Sequence, residues 1–408
     1  MDGPNVNLKF HCLLQDQIER KHSTTLLDVG SCALHVVHGA YRNSVAASGW
    51  ELENIFSSLY RLFKDTPARH EDYTTSTGSS TFPLKFCAHR WIENKPVAER
   101  ALAIRGSLQV YVNKVKANEL KNPGTTSFRV VKDFCEDQLA VAKLTSFLSI
   151  AQEVTPFLTR YETDKPMLPF LAEDLFNLIR SLLLRFMKSQ VLEGLTKQQL
   201  VRVDPTNEQD HLSYEKIDVG FAAEKELRAL VSAKKASSLD VMNFRLKVKA
   251  FLLAVVTKLL EKAPLKYKLV RMMACLDPRQ MVQATDVQVS RMKTILKCLD
   301  EAHRVPGGAL ACEEILRQWR SFLADKVAHC RGEFADFVPN SQESRVDVLL
   351  CRHLASERSY SALWMVVQDV LLLSDGQATV ERGFSVNRNV ETVNMHEKTV
   401  IAQRTTSA

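Results

Sequence analysis

The sequence is poor in the features that most enzyme classes need. Only 14 of its 408 residues are glycine, and none is arranged as a phosphate-cradling loop or a dinucleotide fingerprint. No serine or cysteine sits on a nucleophile elbow of the G-x-S-x-G kind. These absences argue against a nucleotide-dependent enzyme or an α/β-hydrolase, and no small-molecule substrate is expected. Neither sign of charge dominates: 54 Lys and Arg stand against 47 Asp and Glu, a net +7. That mild excess permits contact with nucleic acid without arguing for it. No apolar run approaches the ~20 residues that cross a bilayer. The longest, around Ala250–Leu260, is broken by Lys258. No secretory leader is read at Met1–Asn5, which opens polar. The nine cysteines are scattered and odd in number, as suits free thiols in a reducing compartment. The expectation is a nuclear or cytoplasmic protein, neither secreted nor in a membrane.

Strand signals are also scarce. Thr24–Val29 is the clearest candidate and Arg129–Val131 a weaker one. Helical periodicity is what the chain has in quantity. In Trp50–Phe63 the apolar residues Leu52, Ile55, Phe56, Leu59, Leu62 and Phe63 recur at three- and four-residue spacing, which makes one apolar face. The same reading predicts helices over Pro96–Val115, over Leu139–Leu158 with a stop near Thr155–Pro156, and over Pro169–Met187, which is apolar nearly all round. It continues with Glu224–Ala233, Val241–Leu260, Val287–His303, Glu313–Val327 and Tyr360–Leu373. Loops are predicted over Glu71–Pro83, Lys121–Ser127, Val203–Gln209 and Pro306–Gly308. The polar tail after Met395 reads as a fraying end. A chain this long exceeds one compact core, and one clear strand cannot build a full α/β sheet. The fold class is therefore mainly α.

Five short stretches then follow one another along the chain. Met1–Asn7 reads MDGPNVN. Cys32-Ala33-Leu34-His35 follows the candidate strand. Arg90-Trp91 precedes the Pro96 helix, and Leu276-Asp277-Pro278-Arg279 lies between later helices. Ser374–Ser385 reads SDGQATVERGFS, with small residues ahead of an ERGFS core. In this order they resemble the motifs of hAT-type DNA transposases: the second aspartate motif, C-x-x-H, the Arg-Trp pair opening a helical insertion, an L-D-P-R string within it, and the C-terminal E-R-x-F-S block. The last is the most specific, and the resemblance spans essentially the whole chain.

The resemblance implies a partial ribonuclease H-like α/β core over residues 1–90. It implies a large helical insertion domain over 91–345, and a return to the core with a dimerisation region over 346–408. In that family two Asp and one Glu hold two divalent metals, because cations a few Å apart repel unless clustered anionic oxygens hold them. The resemblance assigns Asp2 as the second aspartate and Glu381 as the glutamate, with Arg382 and Phe384 in the same block. The family's first aspartate and any zinc-finger module belong upstream of Asp2, so an N-terminally truncated, inactive relative is expected. No cofactor is expected, Mg2+ or Mn2+ counting only for an active enzyme.

The residues also carry plainer readings. Cys32, His35 and His38, with Cys87 and His89, invite a zinc site, but a packed Cys-His pair satisfies the same pattern. Arg90-Trp91 reads as a base-stacking pair or as a buried indole beside a surface cation. The basic series Arg245, Lys247, Lys249, Lys258, Lys262, Lys266, Lys268 and Arg271 reads as phosphate contacts, hence weak DNA binding, or as a solvated helix face. In Tyr360–Leu373 the residues Leu363, Trp364, Val367, Val370 and Leu371 form a face wider than one helix buries unaided. A homo-dimer or oligomer through that face is expected. The functional expectation is a transposase-derived protein-binding remnant. The alternatives are a non-specific DNA-binding protein, or an active two-metal transposase or nuclease given a longer natural N-terminus.

Overall fold

A computed structural model describes residues 5–88, 90–339, 341 and 344–373, with side chains from residue 9 onward. The described chain is mainly α-helical. Its helices are α1 (Asn5–His22), α2 (Ala33–Ala47), α3 (Leu52–Phe63), α4 (Pro67–Thr77), α5 (Lys95–Lys116), α6 (Thr126–Glu136), α7 (Ala140–Tyr161), α8 (Leu168–Leu184), α9 (Ser189–Leu192), α10 (Lys197–Leu200), α11 (Phe221–Ser232) and α12 (Ser238–Lys262). Then come α13 (Lys268–Met272), α14 (Pro278–Met281), α15 (Thr285–Glu301), α16 (Gly308–Phe322), α17 (Arg331–Ala335), α18 (Val346–Leu354) and α19 (Ser361–Leu371). Among the described residues the β-structure is confined to one isolated bridge between Met187 and His211. No described helix is long and apolar enough to cross a membrane.

Several expectations are corrected. Thr24–Val29 is irregular rather than a strand. Its backbone is met by side chains from elsewhere: Leu26 N donates to Gln15 Oε1 at 3.1 Å, and the Thr25 carbonyl accepts from the Arg304 guanidinium at 2.9 Å. The Thr24 hydroxyl donates in turn to the Ala302 carbonyl at 2.5 Å. Arg129–Val131 lies inside α6, which buries Phe128, Val131, Phe134 and Cys135 at helical spacing behind a Thr125 cap. Glu71–Thr77 belongs to α4 rather than to a loop. Pro67 opens that helix, Tyr73 anchors it against Phe63 with ring centroids 5.1 Å apart, and Gly78 ends it at φ 69°. Pro156 does not stop α7. It removes one N–H from the ladder, yet the helix runs to Tyr161 because Phe157, Leu158 and Tyr161 are all buried.

The chain divides into two compact units. One comprises 36–157 and 176–261. In it α3 packs on α5 and α6, and α4 on α5. Its core is aromatic. Tyr41 meets Phe147 and Phe251 edge-on at 5.6 and 5.3 Å, and Trp50 stacks on Phe244 at 5.3 Å. Each such side chain contributes ~1.5–3 kcal/mol through burial. The buried Tyr41 hydroxyl donates to the Phe147 carbonyl at 3.0 Å, so its polar atom carries no unmet desolvation cost. Arg185, at the end of α8, is the buried polar hub. It donates to Ser149 Oγ at 3.1 Å, to the Asp218 carbonyl at 3.3 Å, and to Glu153 Oε2 at 3.2 Å.

The other unit comprises 1–35, 158–175 and 262–408. Here α15 packs on α13 and α16, and α16 and α18 both pack on α19. The Trp319 indole is fully buried and donates to the Gln288 carbonyl at 3.3 Å.

Candidate functional site

The resemblance-derived residues distribute unevenly over the structure. Asp2, Glu381, Arg382 and Phe384 lie outside the described residues, as does His89. Cys32 is buried just ahead of α2, while His35 on its first turn is exposed. No ligand cluster is described around Cys32, His35, His38 or Cys87. Arg90 pairs with Glu93 on the surface at 2.9 Å. Trp91 is buried against Phe86, with centroids 4.9 Å apart. An indole in that position has no face to offer a base, so the pair takes the plainer of its two readings. Asn94 explains why the segment folds back. Its amide accepts from the Cys87 N–H at 2.7 Å and donates to the Cys87 and Trp91 carbonyls at 2.8 and 3.1 Å.

Leu276–Arg279 is a helix start. Asp277 caps α14 by accepting from Arg279 N at 3.0 Å, and its carboxylate is gripped by the Arg279 guanidinium at 3.0 and 2.8 Å. Burial raises the Asp277 pKa against the opposing pull of Arg279. Asp174 in the same unit is chelated by Arg160 at 2.8 and 2.9 Å and accepts from the Tyr161 hydroxyl at 2.8 Å. Both carboxylates are thus committed to cations and donors, which is a structural arrangement. Burial pushes the thiols of Cys135 and Cys275 up to about 12, so neither is a nucleophile near neutral pH. The basic series is partly spent as well. Arg245 pairs with Glu224 at 2.5 Å and donates to the Ile217 carbonyl, Lys258 pairs with Glu261 at 2.9 Å, and Arg271 donates to the Leu265 and Lys266 carbonyls.

The expected dimerisation face takes a different form. α19 starts where Gln318, on α16, accepts from the buried N–H of Leu363 at 2.9 Å. A side chain from another helix thereby supplies the cap that α19 does not carry itself. Leu363, Val367, Val370 and Leu371 all face inward, 0–9 % exposed, and α16 and α18 cover them. The apolar face that looked too wide for one helix is covered within the chain. Trp364 is half-buried, and the outward side carries Met365, 61 % exposed, and Leu372, 80 % exposed. Met365 and Leu372 lie on one side with the exposed Gln368 and Asp369 between them, and these apolar side chains, with Trp364 at their edge, are the candidate interaction site.

A second constellation escaped the sequence reading. Cys330, Glu333 and His353 bring a thiol, a carboxylate oxygen and an imidazole nitrogen within 4.8 Å of one another. Cys330 and Glu333 are three residues apart, a weak hint on its own. The 20-residue step to His353 carries no pattern, because only the packing of the turn around α17 on α18 joins them. Comparison with family models, with curated proteins and with solved structures returned no match to this chain.

Proposed function

We propose that the chain is a transposase-derived protein-binding module of hAT type that self-associates through α19 and cleaves no DNA. The order of the five motifs supports the origin. The mainly helical body supports the insertion part of that reading, while the ribonuclease H-like part rests on the motif order alone. The binding role is carried by one observation: two large apolar side chains, Met365 on α19 and Leu372 at its C-cap, stand in solvent while the opposite face of the helix is firmly packed. Such exposed groups on a rigid element favour contact with another protein surface.

The site is small. Stable dimers bury ~800 Å2 per partner, more than three side chains provide, so association in the micromolar range is expected. Sedimentation of the full chain tests it. The wild type is expected to show a concentration-dependent dimer. Met365→Glu/Leu372→Glu is expected to sediment as a monomer with unchanged helical circular dichroism. A wild type that stays monomeric at tens of micromolar, or a charged variant that still dimerises, removes the reading. The catalytic half is tested by a Mg2+- or Mn2+-dependent nicking assay. Activity that disappears in Glu381→Gln would replace the silent-module reading with an enzymatic one.

A further inference from the structure

Cys330, Glu333 and His353 lie in a single unit, where a stretch of π-helix (Leu323–Val327) extends α16 towards Cys330. The Cys330 N–H donates to the Lys326 carbonyl at 2.9 Å, which fixes the backbone at the first position. Glu333 sits on α17 three residues later, and His353 comes from α18. Cys330 and His353 are half-buried and Glu333 is exposed, so the cluster opens to solvent on one side.

The donors are held from behind. Phe334 is fully buried, and its ring lies 5.2 Å from that of His353, which restricts the imidazole. Glu333 Oε2 meets His353 Nε2 at 2.9 Å, and Glu333 Oε1 accepts from the Arg352 guanidinium. The Arg352 contact on Glu333 is the kind of outer hydrogen bond that ligating carboxylates commonly have, while the Glu333–His353 bond joins two donors that a shared cation would draw to itself.

We propose that Cys330, Glu333 and His353 form a site for a zinc-class divalent cation, with water in the fourth position. The donor set selects the cation. Thiolate and imidazole suit zinc and cobalt, whereas magnesium and calcium require oxygen ligands. The charges also match, since one thiolate and one carboxylate balance a dication. Bonds of ~2.0–2.3 Å place tetrahedral ligand atoms roughly 3.3–3.8 Å apart. Atoms already within 4.8 Å reach that spacing by side-chain adjustment, with the Glu333–His353 contact widening and the Cys330 sulfur drawing in. The fourth position faces solvent. The site is independent of the self-association reading.

Cobalt titration of the chelator-treated full chain tests the site directly. The expected result is one Co2+ per chain, with the visible bands of a four-coordinate ion and a thiolate-to-cobalt charge-transfer band, all lost on adding Zn2+. Cys330→Ser, nearly isosteric, is expected to abolish the charge-transfer band. Glu333→Gln and His353→Ala are each expected to weaken binding at least about tenfold, with helical circular dichroism unchanged. Cys351→Ser, which alters an exposed thiol nearby, should leave titration and spectrum as they were. Titrations without saturation at one equivalent, or a charge-transfer band that persists in Cys330→Ser, overturn the site. The three residues would then amount to a His–Glu hydrogen bond beside an unrelated thiol.

Discussion

Gly220 holds φ at 91°, and a Cβ there would lie 2.5 Å from Ser149 Oγ and 2.6 Å from Ser149 Cβ. Both the backbone conformation and the space therefore require glycine. The close approach serves Arg185, whose guanidinium is gathered by Ser149, Glu153 and the Asp218 carbonyl beside this turn. Gly220→Ala is expected to cost roughly 1–3 kcal/mol, read as a lower urea midpoint. An unchanged midpoint would mean that the turn relaxes away from Ser149 without penalty. At this scale the sequence is mute. Nothing local marks Gly220 as constrained or Arg185 as buried, because the groups that constrain them lie 32 to 71 positions away in the chain.

At the scale of the element, α19 shows how a helix end depends on a neighbour. Gln318 accepts from Leu363 N and donates to Glu314 Oε1 at 2.8 Å. Gln318→Leu leaves a buried N–H without a partner, a loss of ~1–3 kcal/mol, and is expected to lower the thermal midpoint. An unchanged melt would show that the cap is dispensable. Glu314 adds a pH dependence. Hydrogen bonds from Arg317 and Gln318 lower its pKa from 4.5 to about 2. An acid whose pKa falls on folding stabilises the fold above its ordinary value, and that contribution is lost as pH falls through the folded pKa. The wild type should therefore lose stability between pH 4.5 and about 2 more steeply than Glu314→Gln, by an amount that solvent screening keeps small. Parallel acid limbs in circular dichroism would contradict this.

The helices that periodicity marks are the ones with a sustained apolar stripe, such as α3, α5 and α12. It misses α1 and α18, and it mistakes part of α6 for a strand. A short apolar run has no period long enough to separate three- and four-residue spacing from alternation. The Cys32 and Arg90-Trp91 motifs are legible as residues, but whether such a residue is buried or presented is a matter of packing.

For the molecule as a whole, the two units are interleaved in sequence, one built from three segments and the other from two. A fragment covering 36–261 would carry the segment 158–175 without its own unit. Met167, Phe170 and Leu171 are buried there, with Phe170 stacked on Phe337 at 5.9 Å and beneath the Arg279 guanidinium at 5.5 Å. Baring them forfeits ~1.5–3 kcal/mol per side chain. The fragment is expected to bind a hydrophobic dye and to aggregate, where the full chain does neither. A soluble fragment that leaves the dye dark would show that the segment repacks on its own.

Taken alone, the sequence determined the helical class, the absence of nucleotide and hydrolase motifs, and the lack of a long apolar run. All of these follow from composition and from periods shorter than a helix. Tertiary structure alone decided which face of α19 is covered, which cysteines are buried, and that Cys330 and Glu333 meet His353. Those outcomes depend on contacts between residues far apart in the chain, and a helix carries in its own sequence only the width of its apolar face. What comes to lie against that face is chosen by the rest of the fold.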